Sequence, residues 1–315
     1  MMKKFQIIRD FVQYDMVINP IEDELKRRGW TIVTGTAASY NKDNDVKGSL
    51  GCQTGSWISA KPPISPSFLV FHGVSFIKLW SRPHPGWDYV IVASKFFEEN
   101  VEGNALGLGW PQGDYYINNA YRQQEFKNKI KERHGLKDEK PIILFAPTYL
   151  KTSEKSAQLP GNPDKLLDIV SNLPHCNVIF MPHQMCDYKN KYEDYSLKVK
   201  SDYSNKYEYL LGCDLLIGDI SSLVFEFSLL NKPVVLLNNP KIRNYLNVDG
   251  YNESLDLGDI ISIDDFSKLR EAVDNSISFP DRYYEKRSYW VDKALGYCDG
   301  KSTDRIVDKI EEICE

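Results

Sequence analysis

The sequence predicts an α/β protein built from two doubly wound domains, 1–122 and 123–315. Short apolar segments typical of buried parallel strands alternate with amphipathic helices throughout the chain. The chain has 315 residues, which is long for one compact domain. A strongly charged helix, predicted over Tyr121–His134 and ending at Gly135, interrupts the alternation near the middle. We therefore place the domain boundary at this helix.

The first domain is predicted to follow a βα order. Its helix Ile18–Arg28 is amphipathic and is closed by Gly29. The stretch 37–66 is rich in Gly, Ser, Asn and Pro, which indicates a long, partly irregular excursion. Gly109–Asp114 is predicted to form a turn-rich exit from the domain. The predicted strands are Phe5–Ile8, Thr31–Val33, Phe68–Phe71 and Asp88–Ala93.

The second domain repeats the alternation. Its predicted strands are Ile142–Phe145, Val178–Met181, Cys213–Ile217, Pro233–Leu237 and Ile260–Ile263. Its predicted helices are Asp164–Asn172, Leu223–Leu230, Asp264–Ser276 and a last helix after Gly300. This last helix can pack back on the first domain.

Composition excludes several classes of function. The net charge of -5 and the pI of about 5.7 argue against a nucleic-acid partner, which needs clustered cations. The six cysteines have no CxxC spacing, so we expect a reduced protein without a zinc site. No run of 18 apolar residues and no secretory leader occur, so we expect a cytoplasmic protein. Peripheral contact with the inner face of the cell membrane stays open.

The segment Leu215–Leu236 has the pattern of a phosphate-binding unit, with a buried strand, a polar turn, a helix and a second strand. Asp219, Ser221 and Ser222 lie in the turn, where backbone N–H groups and the positive end of the helix dipole favour an anion. The alternative is that Asp219 or Ser221 only caps the helix.

Two histidines follow predicted strands, one in each domain. His72 comes after the strand that ends at Phe71 and precedes Gly73, and His183 follows a strand and Pro182. Because ligands of doubly wound sheets bind at the carboxyl ends of the strands, both are candidate acids or bases. Alternatively, each only caps its strand. The other three, His84, His134 and His175, are expected to be solvated.

Seven segments occur in one order over about 70–310. They are FHGVSFIKLW (71–80), WDYVIVASKFF (87–97), LGWPQGDYYI (108–117), KPIILFAPTYL (140–150), IFMPH (179–183), LIGDISSLVFEFSLLNKPVVLL (216–237) and DGKSTDRIVDKI (299–310). Together they resemble the CDP-glycerol glycerophosphotransferase family, which builds teichoic-acid and capsule polymers. The first 65 residues carry little of this resemblance.

The resemblance implies a GT-B-like fold, in which two Rossmann-type domains face a central cleft and the C-terminal domain holds the nucleotide donor. It implies that His72 takes the proton of the acceptor hydroxyl and that His183 faces the donor pyrophosphate and assists the leaving CMP. The residues implied on the donor side are Pro147, Thr148, Asp219, Ser221, Ser222, Lys301 and Arg305. Those implied on the acceptor side are Gly73, Lys78 and Asp114.

The implied reaction moves glycerol phosphate or ribitol phosphate from CDP-glycerol or CDP-ribitol to a hydroxyl of a polymer or glycolipid acceptor, and releases CMP. No cofactor is expected, because the CDP-alcohol is a substrate. No metal ligand is predicted either, since histidines, helix dipoles and a Lys or Arg can stabilise the transferring phosphoryl group. Dependence on a divalent metal stays open.

Some positions depart from the usual motifs of the family, and they leave the acceptor and the transferred alcohol open. The departures are Val74-Ser75-Phe76 after His72 in place of Thr-Pro-Leu, Gln184 after His183 in place of proline, and Gln112-Gly113 in place of Arg-Asn. The opening NPIEDELKRRGW also fits a GT-B glycosyltransferase or a UDP-sugar 2-epimerase-like enzyme. A non-catalytic nucleotide-binding or polymer-binding module is the third alternative.

Overall fold

The computed structural model describes residues 3–9, 15–36, 45–54, 57–58, 64–72, 86–147, 169, 172–181, 206–219, 221–238 and 255–315. The chain divides into two compact units, Met1–Asn118 with Asp292–Glu315, and Asn119–Val291. The predicted domains were 1–122 and 123–315, with the last helix able to pack back on the first domain; in the structure, Asp292–Glu315 belongs with the first unit.

The strands, numbered in chain order, are β1 (Lys4–Ile8), β2 (Thr31–Gly35), β3 (Val46–Thr54), β4 (Trp57–Ile58), β5 (Ser67–Phe71), β6 (Tyr89–Val92), β7 (Ala105–Gly107), β8 (Ile142–Phe145), β9 (Asn177–Phe180), β10 (Leu215–Gly218), β11 (Val234–Asn238) and β12 (Asp259–Ser262). The helices of the described ranges are α1 (Asp15–Arg27), α2 (Lys95–Asn100), α3 (Pro111–Asn119), α4 (Gln123–His134), α5 (Lys206–Gly212), α6 (Leu223–Ser228), α7 (Leu269–Ser278), α8 (Tyr284–Leu295) and α9 (Ser302–Cys314).

The first unit contains a seven-stranded sheet in the order β2-β1-β3-β5-β6-β7, with β4 paired to β3. The six strands of this path run parallel, and β4 is antiparallel. Their apolar residues form a buried core with α1 and α9. This is the doubly wound arrangement that the sequence predicts.

Strand β3 lies within 37–66, which the sequence predicts to be a long, partly irregular excursion, and it shows that part of this stretch is regular. Its sequence, VKGSLGCQT, has few of the residues that favour strands. It is central in the sheet, where β1 and β5 supply hydrogen bonds on both sides. A Cβ added at Gly48 would lie 2.8 Å from Cys314 Sγ and 2.9 Å from Phe5 Cε2, so glycine permits this close approach. Tertiary position therefore outweighs local composition.

Helix α3 corrects the expectation of a turn-rich exit at Gly109–Asp114. The turn is confined to Gly109, whose φ is +105°, and the helix begins at Pro111. Proline suits the first helical position, because its φ is already helical and it has no N–H to leave unpaired. The side chains of Gln112 and Asp114 are therefore presented by a helix.

Helix α9 packs against α1 within the first unit. Ile306, Val307 and Ile310 are buried in the core that includes β1. At the surface of this contact, Arg28 of the α1 end donates to Asp308 and Glu311. Apolar burial supported by ion pairs therefore joins the chain terminus to the first sheet.

The second unit contains a five-stranded sheet in the order β12-β11-β10-β8-β9, in which all pairings are parallel. From β8 the chain adds β9 on one side and then β10, β11 and β12 on the other, so the direction in which strands are added reverses between β8 and β10. Lys206 of α5 and Glu226 of α6 form a buried ion pair at one face of this sheet. The α/β fold with two parallel sheets agrees with the prediction.

None of the helices in the ranges above is long and apolar enough to cross a bilayer. The described cysteines, Cys52, Cys176, Cys213, Cys298 and Cys314, are free thiols.

Candidate functional site

His72 lies at the carboxyl end of β5 in the first unit, directly after Phe71. The Trp110 indole N–H donates to the His72 carbonyl oxygen, with an N···O distance of 3.3 Å. The Gln112 side-chain amide lies 3.4 Å from His72 Nδ1, measured from its Nε2 atom. Trp110, just before α3, therefore contacts the backbone of His72, and Gln112, in the first turn of α3, contacts its ring.

The packing of this segment explains how it reaches His72. Trp110 is buried and its ring stacks on Tyr116, with 6.2 Å between centroids. A Cβ at Gly109 would come within 2.9 Å of Arg305 Nη2, so only glycine lets the chain pass this close to α9. These contacts hold the start of α3 against the end of β5.

Asp114, predicted on the acceptor side, binds the first residues of α9. Its carboxylate accepts hydrogen bonds from the Ser302 N–H at 2.9 Å, the Thr303 N–H at 2.7 Å and the Thr303 hydroxyl at 2.9 Å. A carboxylate at this position pairs N–H groups that have no partner within the helix and favours the helix dipole. Asp114 therefore connects α3 to the C-terminal helix.

Arg305 and Lys301, predicted on the donor side, lie in the first unit. Arg305 Nε donates to the Leu108 carbonyl oxygen at 3.0 Å, and Nη1 lies 2.8 Å from a carboxylate oxygen of Asp299. The hydrogen bond from Arg305 lowers the pKa of Asp299 below its usual range. Lys301 is exposed at the start of α9. The structure therefore brings Arg305 together with the segment that precedes Trp110, and it assigns both cations to the unit that contains His72.

The second sheet carries the predicted phosphate-binding turn after β10. Asp219 is 2% exposed, and its Oδ1 accepts from the Ser221 N–H at 3.0 Å. The Ser221 hydroxyl oxygen accepts from the Leu223 N–H at 3.3 Å, and its carbonyl oxygen accepts from Val224. Ser221 therefore caps α6, as the alternative interpretation of this turn expects.

Ser222 differs from Ser221. Its backbone is already helical, with φ of −56° and ψ of −21°, and its side chain makes no capping hydrogen bond. Gly218 lets the helix pack closely, because a Cβ there would lie 3.2 Å from Val224 Cγ2. The Ser222 hydroxyl can therefore hydrogen-bond to a ligand without the loss of a helix cap, whereas the Ser221 hydroxyl already caps the helix.

Pro147 lies at the same edge of the second sheet. It follows β8, whose pairing with β10 continues to the hydrogen bond from Ala146 N to the Ile217 carbonyl oxygen, at 3.0 Å. Because the winding reverses between these two strands, their carboxyl ends flank the crevice in which doubly wound sheets bind ligands. Pro147, Asp219 and Ser221 are thus brought together at one switch point.

Four predicted site residues lie outside the described residues: His183, Thr148, Gly73 and Lys78. Of the histidines expected to be solvated, His84 also lies outside them. His134 Nε2 lies 2.9 Å from the Tyr209 hydroxyl and His175 Nε2 lies 2.6 Å from Asp274 Oδ1, and both residues are half-buried, so these two histidines are only partly solvated. In the ranges that can be described, no group of three or more His, Cys, Asp or Glu side chains is arranged to hold a metal ion.

The fold and these edges define a class: α/β chains with two doubly wound parallel sheets, each with polar residues at the carboxyl ends of its strands. The family model for CDP-Glycerol:Poly(glycerophosphate) glycerophosphotransferase matches residues 74–312. The chain belongs to this family, and the resemblance inferred from the seven segments is confirmed.

Curated relatives agree with this assignment. The teichoic acid glycerol-phosphate primase of Bacillus subtilis (strain 168) is 28% identical over 255 residues, which cover 75% of this chain and 61% of the primase. The teichoic acid ribitol-phosphate polymerase TarL of Staphylococcus aureus is 29% identical over 218 residues, which cover 65% of this chain and 37% of TarL. The chain thus spans less than two thirds of the length of these relatives.

Solved structures share the fold. The wall teichoic acid polymerase TagF superposes with a TM-score of 0.73 at 18% identity, over 100% of this chain and 89% of that chain. A UDP-GlcNAc 2-epimerase from Neisseria meningitidis superposes with a TM-score of 0.63 at 11% identity, over 98% of this chain and 100% of that chain. The predicted GT-B-like α/β fold is therefore confirmed.

Proposed function

We propose that the chain transfers glycerol phosphate or ribitol phosphate from a CDP-activated donor to a hydroxyl of a teichoic-acid-type or capsule-type acceptor, and releases CMP. The observation that carries this proposal is the family match over 74–312, which begins two residues after His72 and includes the whole Ser221 turn. We further propose that the chain works in the cytoplasm and meets its acceptor at the inner face of the cell membrane.

The donor is proposed to bind at the carboxyl edge of the second sheet. The switch point between β8 and β10 supports this, because it joins Pro147 to the turn that starts α6. In the proposal, Ser222 and the backbone N–H groups of the turn bind the pyrophosphate, while Asp219 and Ser221 keep the turn in shape. Thr148 and His183 complete the donor side, and His183 assists the leaving CMP.

The acceptor is proposed to react beside His72. The His72 ring takes the proton of the acceptor hydroxyl while the hydroxyl oxygen forms a bond to the phosphorus that carries the alcohol. At the same time the bond between that phosphorus and the CMP oxygen breaks, and CMP leaves. Gly73 and Lys78 are proposed neighbours of the acceptor. Asp114 supports this edge through α9, according to its hydrogen bonds to Ser302 and Thr303.

The two cations near the C-terminus have different proposed roles. Lys301 is exposed and is proposed to contact a phosphate. Arg305 is proposed to help close the site by holding Leu108, since its guanidinium donates to that carbonyl oxygen and to Asp299. No cofactor is part of the proposal.

The transferred alcohol is the finer part of the proposal. The family model is named for CDP-glycerol, whereas the curated relatives include a ribitol-phosphate polymerase as well as a glycerol-phosphate primase. One TagF structure is described as a histidine-to-asparagine variant soaked with CDPG. We therefore take CDP-glycerol as the first probe and CDP-ribitol as the second.

A nucleotide-sugar enzyme is the second candidate. It is favoured by the Neisseria epimerase bound to UDP-GlcNAc and by the Staphylococcus aureus MnaA–UDP structure, with a TM-score of 0.61. Isothermal titration calorimetry with CDP-glycerol, CDP-ribitol, CMP and UDP-sugars separates the two. We expect tighter binding of a CDP-alcohol than of any UDP-sugar, whereas the reverse order would move the assignment to the second candidate.

A further inference from the structure

We propose that Gln112 is a positioning residue for His72, which holds the Nδ1 side of the imidazole ring and thereby selects the nitrogen that acts as base. The proposal rests on the proposed role of His72 in taking the acceptor proton. It is based on a contact that the sequence did not predict. The Gln112 amide lies 3.4 Å from His72 Nδ1, and Gln112 is 1% exposed.

The amide can engage Nδ1 in two ways. Its nitrogen can donate to an unprotonated Nδ1, or its oxygen can accept from a protonated Nδ1, and the two orientations have the same shape. A neutral imidazole that acts as a base needs an unprotonated nitrogen. We assign the second orientation, which exchanges the amide nitrogen and oxygen at the position 3.4 Å from Nδ1. The amide oxygen then accepts from Nδ1–H, and the lone pair that takes the acceptor proton lies on Nε2, the ring nitrogen that does not contact Gln112.

Gln112 is held in place firmly enough to make this selection. It lies in the first turn of α3, where Pro111, Gln112, Gly113 and Asp114 are all buried. Two residues further on, Asp114 is tied to Ser302 and Thr303 at the start of α9. Trp110, on the other side of Gln112, donates to the His72 carbonyl oxygen. The amide and the histidine are therefore anchored by the same segment.

Two substitutions separate the hydrogen-bonding role of Gln112 from its packing. Gln112→Met keeps the length of the side chain and removes the acceptor, so Nδ1 should lose its preference for the proton. Gln112→Glu offers only acceptor oxygens, so Nδ1 should stay protonated. Trp110→Phe is the control, because it removes a hydrogen bond to the backbone of His72 and leaves the ring contact in place.

The test is a long-range proton–nitrogen NMR spectrum of the full chain with nitrogen-15-labelled histidine, in which His72→Asn identifies the signals. We expect a proton on Nδ1 in the wild type, in Gln112→Glu and in Trp110→Phe, and a mixture of tautomers in Gln112→Met. A wild type with the proton on Nε2, or a Gln112→Met spectrum identical to the wild type, would overturn the proposal. Should Gln112→Met not fold, loss of the Nδ1 proton in Gln112→Glu would overturn it equally.

Turnover adds a readout that separates this proposal from the proposed function. With CDP-glycerol as donor, Gln112→Met should lower kcat by about 2- to 10-fold, the effect of one hydrogen bond, with the donor KM unchanged. If the tautomer changes as expected but neither Gln112→Met nor His72→Ala alters kcat, then Gln112 positions the ring and His72 is not the base. If kcat falls in both Gln112→Met and His72→Ala while the tautomer in Gln112→Met does not change, the selection by Gln112 is refuted and the role of His72 stands.

Discussion

The two sheet edges are built in opposite ways. At the first edge, His72 is held by Trp110 and Gln112, which lie 38 and 40 positions further along the chain. At the second edge, the turn after β10 is held by contacts two residues apart, from Ser221 to Asp219 and from Leu223 to Ser221. The first edge therefore depends on how distant segments pack, whereas the second is specified by its own few residues.

This difference determines how far the effect of a substitution should extend from each edge. A change at the start of α9 reaches the first edge, because Asp114 joins α9 to the helix that carries Gln112. At the second edge, the described hydrogen bonds from Ser221 to Asp219 and from Leu223 to Ser221 are made within the turn, so we expect a change at Ser221 to act locally. Variants at the first edge should therefore couple stability to turnover, and variants at the second should separate stability from donor affinity.

The largest expected effect is that of His72→Ala. If the ring is the acceptor base, turnover should fall by roughly 10²- to 10⁴-fold, while donor affinity stays nearly unchanged because the donor is proposed to bind at the other edge. Steady-state kinetics and donor titration measure the two quantities. His134→Ala is the control, since that ring contacts Tyr209 in the second unit. Unchanged turnover in a folded His72→Ala variant would remove His72 from the mechanism.

Asp114→Ala should have the next largest effect. It leaves two backbone N–H groups at the start of α9 without their charged acceptor, which should lower the free energy of unfolding by about 1.5–3 kcal/mol. Urea unfolding followed by circular dichroism measures this, and kcat should fall in parallel. Asp304→Ala is the matched control, because that side chain lies on the same helix and is 55% exposed. Equal stability of the two variants would contradict the link between α3 and α9.

The two serines of the second edge should respond differently. Ser221→Ala removes the cap of α6 and should lower stability by about 1 kcal/mol. Ser222→Ala removes no cap and should instead lower donor affinity by roughly 10- to 100-fold, the effect of one hydrogen bond to a charged acceptor.

Thermal melts and CDP-glycerol titrations on both variants test this separation. Ser94→Ala is the control for loss of a serine cap in the first unit, because Ser94 accepts from the Phe97 N–H at the start of α2; its hydroxyl also donates to the Lys293 carbonyl oxygen, so this control should lose more stability than Ser221→Ala without loss of donor affinity. Should Ser222→Ala bind the donor as tightly as the wild type, the turn would be a structural cap alone, and phosphate binding by its hydroxyls would be refuted.

The smallest effect concerns the ion pairs that support α1 beside α9. Hydrogen bonds from Arg27 and Arg28 hold the pKa of Glu24 at about 2, below its usual 4.5. The unfolded chain therefore binds more protons between these values, so the contribution is complete above pH 4.5 and is lost as the pH falls towards 2. Because Arg27 is 69% exposed, solvent screens the pair and limits this contribution to below about 1 kcal/mol.

Glu24→Gln should accordingly reduce the loss of stability between pH 6 and pH 3 by less than about 1 kcal/mol, as measured by urea unfolding at both values. Glu312→Gln is the control, because that exposed carboxylate pairs with Lys309 on the same helix, α9. A larger effect of the control than of Glu24→Gln would show that this network does not favour the charged form of Glu24.

The contrast between the edges also explains what the sequence could predict. The strands β1, β5, β8 and β10 were predicted because each is a short apolar run, and the turn at Asp219 because its contacts are local. Strand β3 could not be predicted, since its stability comes from its two neighbours and from the space that Gly48 leaves. Local patterns reveal local structure only.

The same limit applies to the candidate site. The position of His72 at a strand end follows from chain order, but its contact with Gln112 depends on where α3 packs. The periodicity of the last helix predicts its apolar face, and its packing on the first domain was expected, but the side chains that its first turn meets were not. Arg305 was assigned to the donor side by the family resemblance, and the structure sets it beside Leu108 in the first unit.

The central claim is that this chain transfers an alcohol phosphate from a CDP donor. Its most direct test follows CMP release and incorporation of labelled glycerol phosphate into a poly(glycerol phosphate) acceptor in one reaction, with CDP-ribitol and UDP-GlcNAc in parallel reactions. We predict that CMP is released in a one-to-one ratio with incorporation from a CDP-alcohol, and that His72→Ala suppresses both. Turnover of UDP-GlcNAc without CMP release from either CDP-alcohol would contradict the claim.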